Sequence, residues 1–264
     1  MSVPVVSPVV RRINGERITV LGWGRAILMQ VAHPLVGAGV AAHSGFRDSP
    51  LGSVRRLQAT VGAMLALTFG DDAEADRATR RILATHDRVS GRLEADTGPF
   101  PAGTPYSAHD PDLLLWVHAT LLDSMLLLYE RTVGPLTPAD RDEYVAAAAD
   151  GMQRVGVPMA RAPRTASDLR AYLDGIVARG TLALTPATRA VADAVLSPQF
   201  GWIVAPLTHT QRLLTIGLLP PSVRELYGYP WDARRERRLD TVLAVLRRVR
   251  QHSPERAARW VGAR

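Results

Sequence analysis

Along nearly the whole chain, apolar residues return at a helical spacing, and strand-like alternation is scarce. The prolines support this reading. They fall mostly between the periodic runs, where a fixed φ and a missing N–H start or stop helices. The spacing predicts helices over 49–68, 73–95, 111–133, 138–155, 165–178, 186–196, 207–216, 222–227 and 234–251. A run rich in Ala, Val and Leu over 24–42 is also helical, with Pro34 kinking or dividing it. A turn is expected at 44–48. Asp71 and Asp72 supply an N-cap after Gly70, and Thr137-Pro138, with Asp140 in the first turn, opens a later helix. The proline-rich stretch 97–111, with Gly98, Gly103 and Tyr106, reads as a packed loop. No repeat and no Gly/Ser linker interrupts the pattern. The fold class is therefore all-α: a single compact multi-helix domain over 1–264, with a core at about 20–230 and a basic helical tail at 231–264.

What the chain lacks narrows its chemistry. It has no cysteine, which excludes disulfides, iron–sulfur clusters, thiolate haem ligation and a cysteine nucleophile. It also has no lysine, since all 32 basic residues are arginine. GC-rich codon usage produces the same bias, yet Schiff-base chemistry and a phosphate-loop lysine are excluded whatever its origin. With 47% hydrophobic and 22% charged residues, the chain falls in the globular range rather than the disordered one.

The formal net charge is +7, and residues 231–264 carry most of it, with ten arginines against Asp232, Glu236, Asp240 and Glu255. A basic tail on a near-neutral body argues against a nucleic-acid partner. Its residues Leu239, Val242, Leu243, Leu246 and Val249, beside Arg247, Arg248 and Arg250, form an amphipathic helix. That helix fits peripheral contact with anionic membrane, or simply a docked helix with a solvated outer face. The first residues lack a basic leader and a small-residue cleavage site, so no signal peptide is read there. Residues 26–42 and 113–128 look membrane-like, but Gln30, His33, His118 and Asp123 interrupt them. Both read as buried helices of a cytoplasmic protein, peripheral to the membrane at most.

Four histidines are placed to do chemistry. His86 shares offsets of four, seven and eleven with Ile82, Val89 and Leu93, which puts it on an apolar helix face. A buried imidazole must bond or ligate something; a backbone carbonyl satisfies that need as well as a metal does. His118, Thr120 and Asp123 are polar groups in an otherwise apolar helix and need partners there, whether in a structural network or in catalysis. His33 and His43 bracket a segment in which Gly37 and Gly39 admit either a neighbouring helix or a flat ligand. Arg56 and Thr60, at i and i+4, share a face with Ala63, Met64 and Leu67. An arginine there can hold a carboxylate of a ligand or pair with an acid such as Asp48. No H-E-x-x-H, G-x-S-x-G or G-x-G-x-x-G motif occurs. A non-haem iron site drawn from His33, His43 and either Asp48 or Asp123 has no support in the spacing.

Several of these pieces occur together in a recognisable order. They are Gln30-Val-Ala-His-Pro-Leu-Val-Gly-Ala-Gly-Val-Ala-Ala-His-Ser-Gly-Phe46, Arg56-x-x-x-Thr60, Thr68-Phe-Gly70 and His86-x-x-Val-Ser-Gly91. Tyr106-x-Ala-His-Asp-Pro111, Leu115-Trp-Val-His-Ala-Thr120 and Gly217-Leu-Leu-Pro220 follow. In this the chain resembles the MpaB-type oxygenase family, which includes rubber oxygenase (latex clearing protein). The resemblance implies a globin-like helical core, haem b as the cofactor, and dioxygen with an apolar small molecule as substrates. It places His86 at the proximal iron ligand and Arg56 and Thr60 near the iron as catalytic residues. His33, His43 and His118 are further candidates to line the cofactor. The lysine that rubber oxygenase carries before its threonine is Ala59 here, so that lysine cannot cap the iron. A non-enzymatic haem- or lipid-binding module, docking through the basic tail, is the alternative expectation.

Overall fold

The structure, a computed structural model, describes residues 6–43, 52–196 and 205–263. The side chains of residues 52–57 and 205–207 also fall outside the described set, as do the expected turn at 44–48 and Asp48. Helix α1 (Pro8–Asn14) leads into a 3-10 segment (Arg17–Gly22), α2 (Trp23–Ala32), α3 (Pro34–His43), α4 (Gly52–Phe69) and α5 (Asp72–His86). A small antiparallel pair follows, β1 (Ser90–Arg92) with β2 (Pro105–Ser107), in the register Gly91 opposite Tyr106. Then come α6 (Pro111–Thr132), α7 (Pro138–Met152), α8 (Ala166–Ala178), α9 (Pro186–Leu196), α10 (Ala205–Gly217), α11 (Pro221–Leu226), α12 (Ala233–His252) and α13 (Glu255–Ala258). The fold is all-α, a single compact helical domain, as the periodicity implies.

Capping chemistry sets several boundaries. Asp71 and Glu74 exchange backbone bonds at the start of α5, at 2.8 and 3.1 Å. Thr137 with Asp140, and Thr165 with Asp168, do the same for α7 and α8. Pro34 divides the 24–42 run completely. A residue before proline is pushed out of the helical region, and His33 sits at φ −78° and ψ 121°. The chain bends by 109° there.

One expected helix ends early. α5 stops at His86, and 90–92 is a strand, so Val89 and Leu93 do not continue the helical stripe of Ile82 and His86. Leu93 is buried instead beside Leu35, Tyr106 and Leu113. The extended pairing wins because Gly91 lies under the Tyr106 ring, where a Cβ would come within 2.5 Å of the phenolic oxygen.

Helix α6 is the axis of the core, buried along most of its 22 residues and packed against α2, α7, α8 and α12. Its length and hydropathy would suffice to cross a membrane, but most of its surface is covered by its own chain. Arg25 of α2 fixes α6 in place. The guanidinium is 5% exposed; its Nε donates to the Leu218 carbonyl, Nη1 to Ser124 Oγ and Nη2 to Asp123 Oδ2, each at 2.6 Å. Arg25→Met should therefore destabilise the protein by about 3 kcal/mol in urea unfolding, since it strands a carboxylate and two acceptors. Arg25→Lys should recover only a minor part, because one ammonium cannot present that planar fork of donors.

Candidate functional site

The histidines singled out from the sequence occupy distinct settings. His33, at the corner between α2 and α3, is packed between the rings of Phe100 and Trp116, at centroid distances of 5.4 and 6.2 Å. Its Nδ1 is buried without a hydrogen-bond partner among the described residues. Burial pulls its pKa from 6.5 down to about 4, against the opposing pull of Asp110. His118 sits inside α6, with Nε2 likewise buried and unpartnered, and desolvation lowers its pKa to about 4. The polar groups near it do not join it. Thr120 bonds the Trp116 and Val117 carbonyls of its own helix, and Asp123 serves Arg25.

His43, exposed at the end of α3, places Nε2 3.1 Å from the Ser90 carbonyl and lies edge-on to Tyr106. It ties α3 to the β-hairpin. Gly39 reinforces the same junction, since a Cβ there would meet Val89 at 3.2 Å. A Cβ on Gly37 would lie 2.4 Å from Thr188 of α9. These two glycines thus serve close packing by the chain itself. The flat-ligand alternative for the 37–42 segment is not what the fold uses them for.

His86 is different. It is the last residue of α5, half-buried, and its Nδ1 is buried with no partner among the described residues. Its pKa lies below 6.5, chiefly through burial and then through neighbouring His109, with Asp87 opposing. The His109 ring meets it edge-on at 5.8 Å and is itself held by Asp87, Nε2 to Oδ1 at 2.8 Å. His109 was legible only as part of the Tyr106–Pro111 motif; nothing in its spacing pointed to His86. No ring contact joins any two of His33, His43, His86 and His118 among the described residues. Nor do three or more His, Asp or Glu converge there as a metal cluster.

Helix α4 packs on α5 and α1. Thr60 faces solvent on it, and the Arg56 side chain lies outside the described residues. Along 61–67 of α4 the apolar side chains of Val61, Ala63, Met64 and Leu67 are covered only in part. Such a face can receive an apolar group.

The class of protein is set by a family model that spans α1 to α12: an oxygenase catalytic domain. The chain belongs to the family described as "ER-bound oxygenase mpaB/B'/Rubber oxygenase, catalytic domain", matched over residues 10–248. Among curated proteins it is similar to the uncharacterized proteins Mb2261 of Mycobacterium bovis and Rv2237 of Mycobacterium tuberculosis. Each is 29% identical over 247 residues, covering 89% of both chains. No solved structure matches it.

The buried histidines make an acid-sensitivity prediction. His33 and His118 resist protonation in the folded chain but accept it near pH 6.5 when unfolded. Their contribution to stability should be constant from pH 7 upward, fall as pH drops below about 6.5, and level off near 4. The loss is on the order of 3 kcal/mol per histidine. Urea midpoints measured from pH 7.5 to 4.5 should show this, and His118→Leu should remove about a third to a half of the slope, the rest coming from His33 and His86.

Proposed function

We propose that this chain is a haem b-dependent oxygenase acting on an apolar small molecule with dioxygen. The observation that carries the reading is the ring nitrogen of His86, buried and without a partner among the described residues, in a chain whose family is an oxygenase family. The residues present fit such a group. Burial keeps the His86 imidazole neutral at neutral pH, so a lone pair is free for a metal without prior loss of a proton. The apolar side chains of α4, Val61 and Met64 packed against the core and Ala63 and Leu67 partly covered beside them, offer some hydrophobic surface. Bound haem would supply the activation of dioxygen.

The chain's own residues would do the rest. His86 would hold the iron through one ring nitrogen, with the Asp87-anchored His109 ring against its edge limiting how the imidazole can turn. Helices α4 and α5 are consecutive and packed together, joined by a short turn; with an antiparallel course, His86 at the far end of α5 would lie toward the end of α4 that carries Arg56. Arg56 supplies a permanent positive charge suited to a carboxylate, including a porphyrin propionate. One turn further, Thr60 offers a hydroxyl able to donate a proton. His33 and His118 stay neutral at neutral pH and keep those parts of the core uncharged.

Purified protein, supplied with haem, should show an intense Soret band and one haem per chain by pyridine haemochrome. His86→Ala should lower haem occupancy at least about tenfold while retaining helical circular dichroism. Arg56→Ala should keep most of the occupancy, because His86 remains to hold the iron, and slow oxygen consumption by about a hundredfold. Full occupancy in His86→Ala would overturn the ligand assignment. Stoichiometric non-haem iron by elemental analysis, with no Soret band, would overturn the cofactor.

A further inference from the structure

The basic C-terminal segment is a fixed surface. Leu239 and Leu243 of α12 are buried against Leu128, Leu214 and Leu218. Its far end is latched by the Glu16 carboxylate, which is bonded to Arg250. The outer face of α12 is therefore held in one orientation. Between α10 and α12 lies a shallow groove of about 510 Å³, with Leu213 and Val242 as its apolar part and His209, Arg234, Arg237 and Arg238 around them.

The acids nearest to those arginines are engaged elsewhere. Asp232 caps α12 and pairs with Arg235; Glu236 accepts the Trp231 indole N–H; Asp240 pairs with Arg131. Arg234, Arg237 and Arg238 form no ion pair among the described residues. At 100° per residue, Arg234, Arg238, Thr241, Val245 and Arg248 fall along one line, opposite the buried Leu239 and Leu243. Val249 sits beside that line, not on the packed side as its apolar character suggests. Val245 and Val249 are 55% and 56% exposed, among the most exposed large hydrophobic residues. Guanidinium groups outside any ion pair among the described residues, interleaved with bare aliphatic side chains, suit an interface that is anionic at the surface and oily just beneath. A nucleic-acid backbone would leave the valines without a partner, and no exposed aromatic residue is there to stack on bases.

We infer that α12 and its groove with α10 form a docking site for an anionic phospholipid surface, with Arg234, Arg237 and Arg238 holding headgroup phosphates and Val245 and Val249 entering the acyl boundary. The site includes none of His33, His43, His86 and His118, so it stands or falls apart from the haem reading.

The test is co-sedimentation of the full chain with vesicles of phosphatidylcholine, with or without about one-third phosphatidylglycerol. Binding is expected only to the anionic vesicles and should fade as salt rises. Arg234→Gln with Arg238→Gln should weaken it about fivefold per arginine removed. Arg77→Gln with Arg170→Gln removes the same charge from exposed positions on α5 and α8 and should change it little. Val245→Gln with Val249→Gln should weaken binding to the anionic vesicles at low salt at least about fivefold, although it leaves the charge unchanged. All three variants alter exposed side chains, and a thermal melt confirms that each is folded. Equal binding to neutral vesicles, equal loss in the charge-matched control, or no vesicle binding would overturn the inference. So would calorimetric binding of inorganic phosphate or of an oligonucleotide through Arg234 and Arg238 without vesicle binding.

Discussion

The Arg25 guanidinium fixes how the core is assembled. Helix α6 is apolar on nearly every side, and a cylinder of leucines has no preferred rotation against its neighbours. Hydrophobic burial drives it inward but does not say which way it turns. Arg25 supplies that information by requiring Ser124 and Asp123 on one side and the Leu218 carbonyl on another. At the other end of α2, Gln30 donates to the Val117 carbonyl and accepts from the Trp116 indole through its own carbonyl. The two helices are thus registered by polar bonds some distance apart and filled between them by apolar contact. The arrangement gives the Leu-rich helix one seat rather than several.

Much of the fold could be read from the chain. The capping boxes at Asp71, Thr137 and Thr165 are local chemistry, and local chemistry survives folding. Pro34 divided its helix because proline restricts the residue before it whatever the tertiary context. The failure at 87–95 is equally physical. A buried residue every three or four positions arises from a helix or from a turn into a short strand pair, and over Val89–Leu93 the two patterns coincide. The discriminating detail was Gly91, whose missing side chain leaves room for Tyr106 across the hairpin. Arg25 was illegible for another reason: one charge in an apolar run looks like a helix surface until its acceptors, nearly a hundred residues or more away, are known.

The candidate site divides in the same way. The sequence told which imidazoles would be hidden, because their neighbours are apolar. It did not tell which of them would be left with a free nitrogen, since that depends on what the rest of the chain offers. His43 found a carbonyl at Ser90; His33, His86 and His118 each keep a buried nitrogen without a donor or acceptor among the described residues. Rings packed around His33 and a solid helix around His118 suit neutral filler. His86 differs by standing at a helix end beside a helix whose apolar side chains are only partly covered. Ala59, the residue that replaces the rubber oxygenase lysine, faces solvent on that helix and brings no amine to it.

Glu16 has a consequence for the order of events during synthesis. Its carboxylate is 3% exposed and answered by Arg250 and Arg259, with Trp260 bonded through its N–H to the Gly15 carbonyl and pressed against Arg17. Every one of those countercharges is translated more than two hundred residues after it. As the chain emerges from the ribosome, this acid has no countercharge from Arg250 or Arg259, and the helices around it must keep it wet until residues 250–260 are made. Docking of residues 250–260 onto the Gly15–Glu16 turn therefore has to follow synthesis of everything between them, a built-in delay before that turn can lose its water.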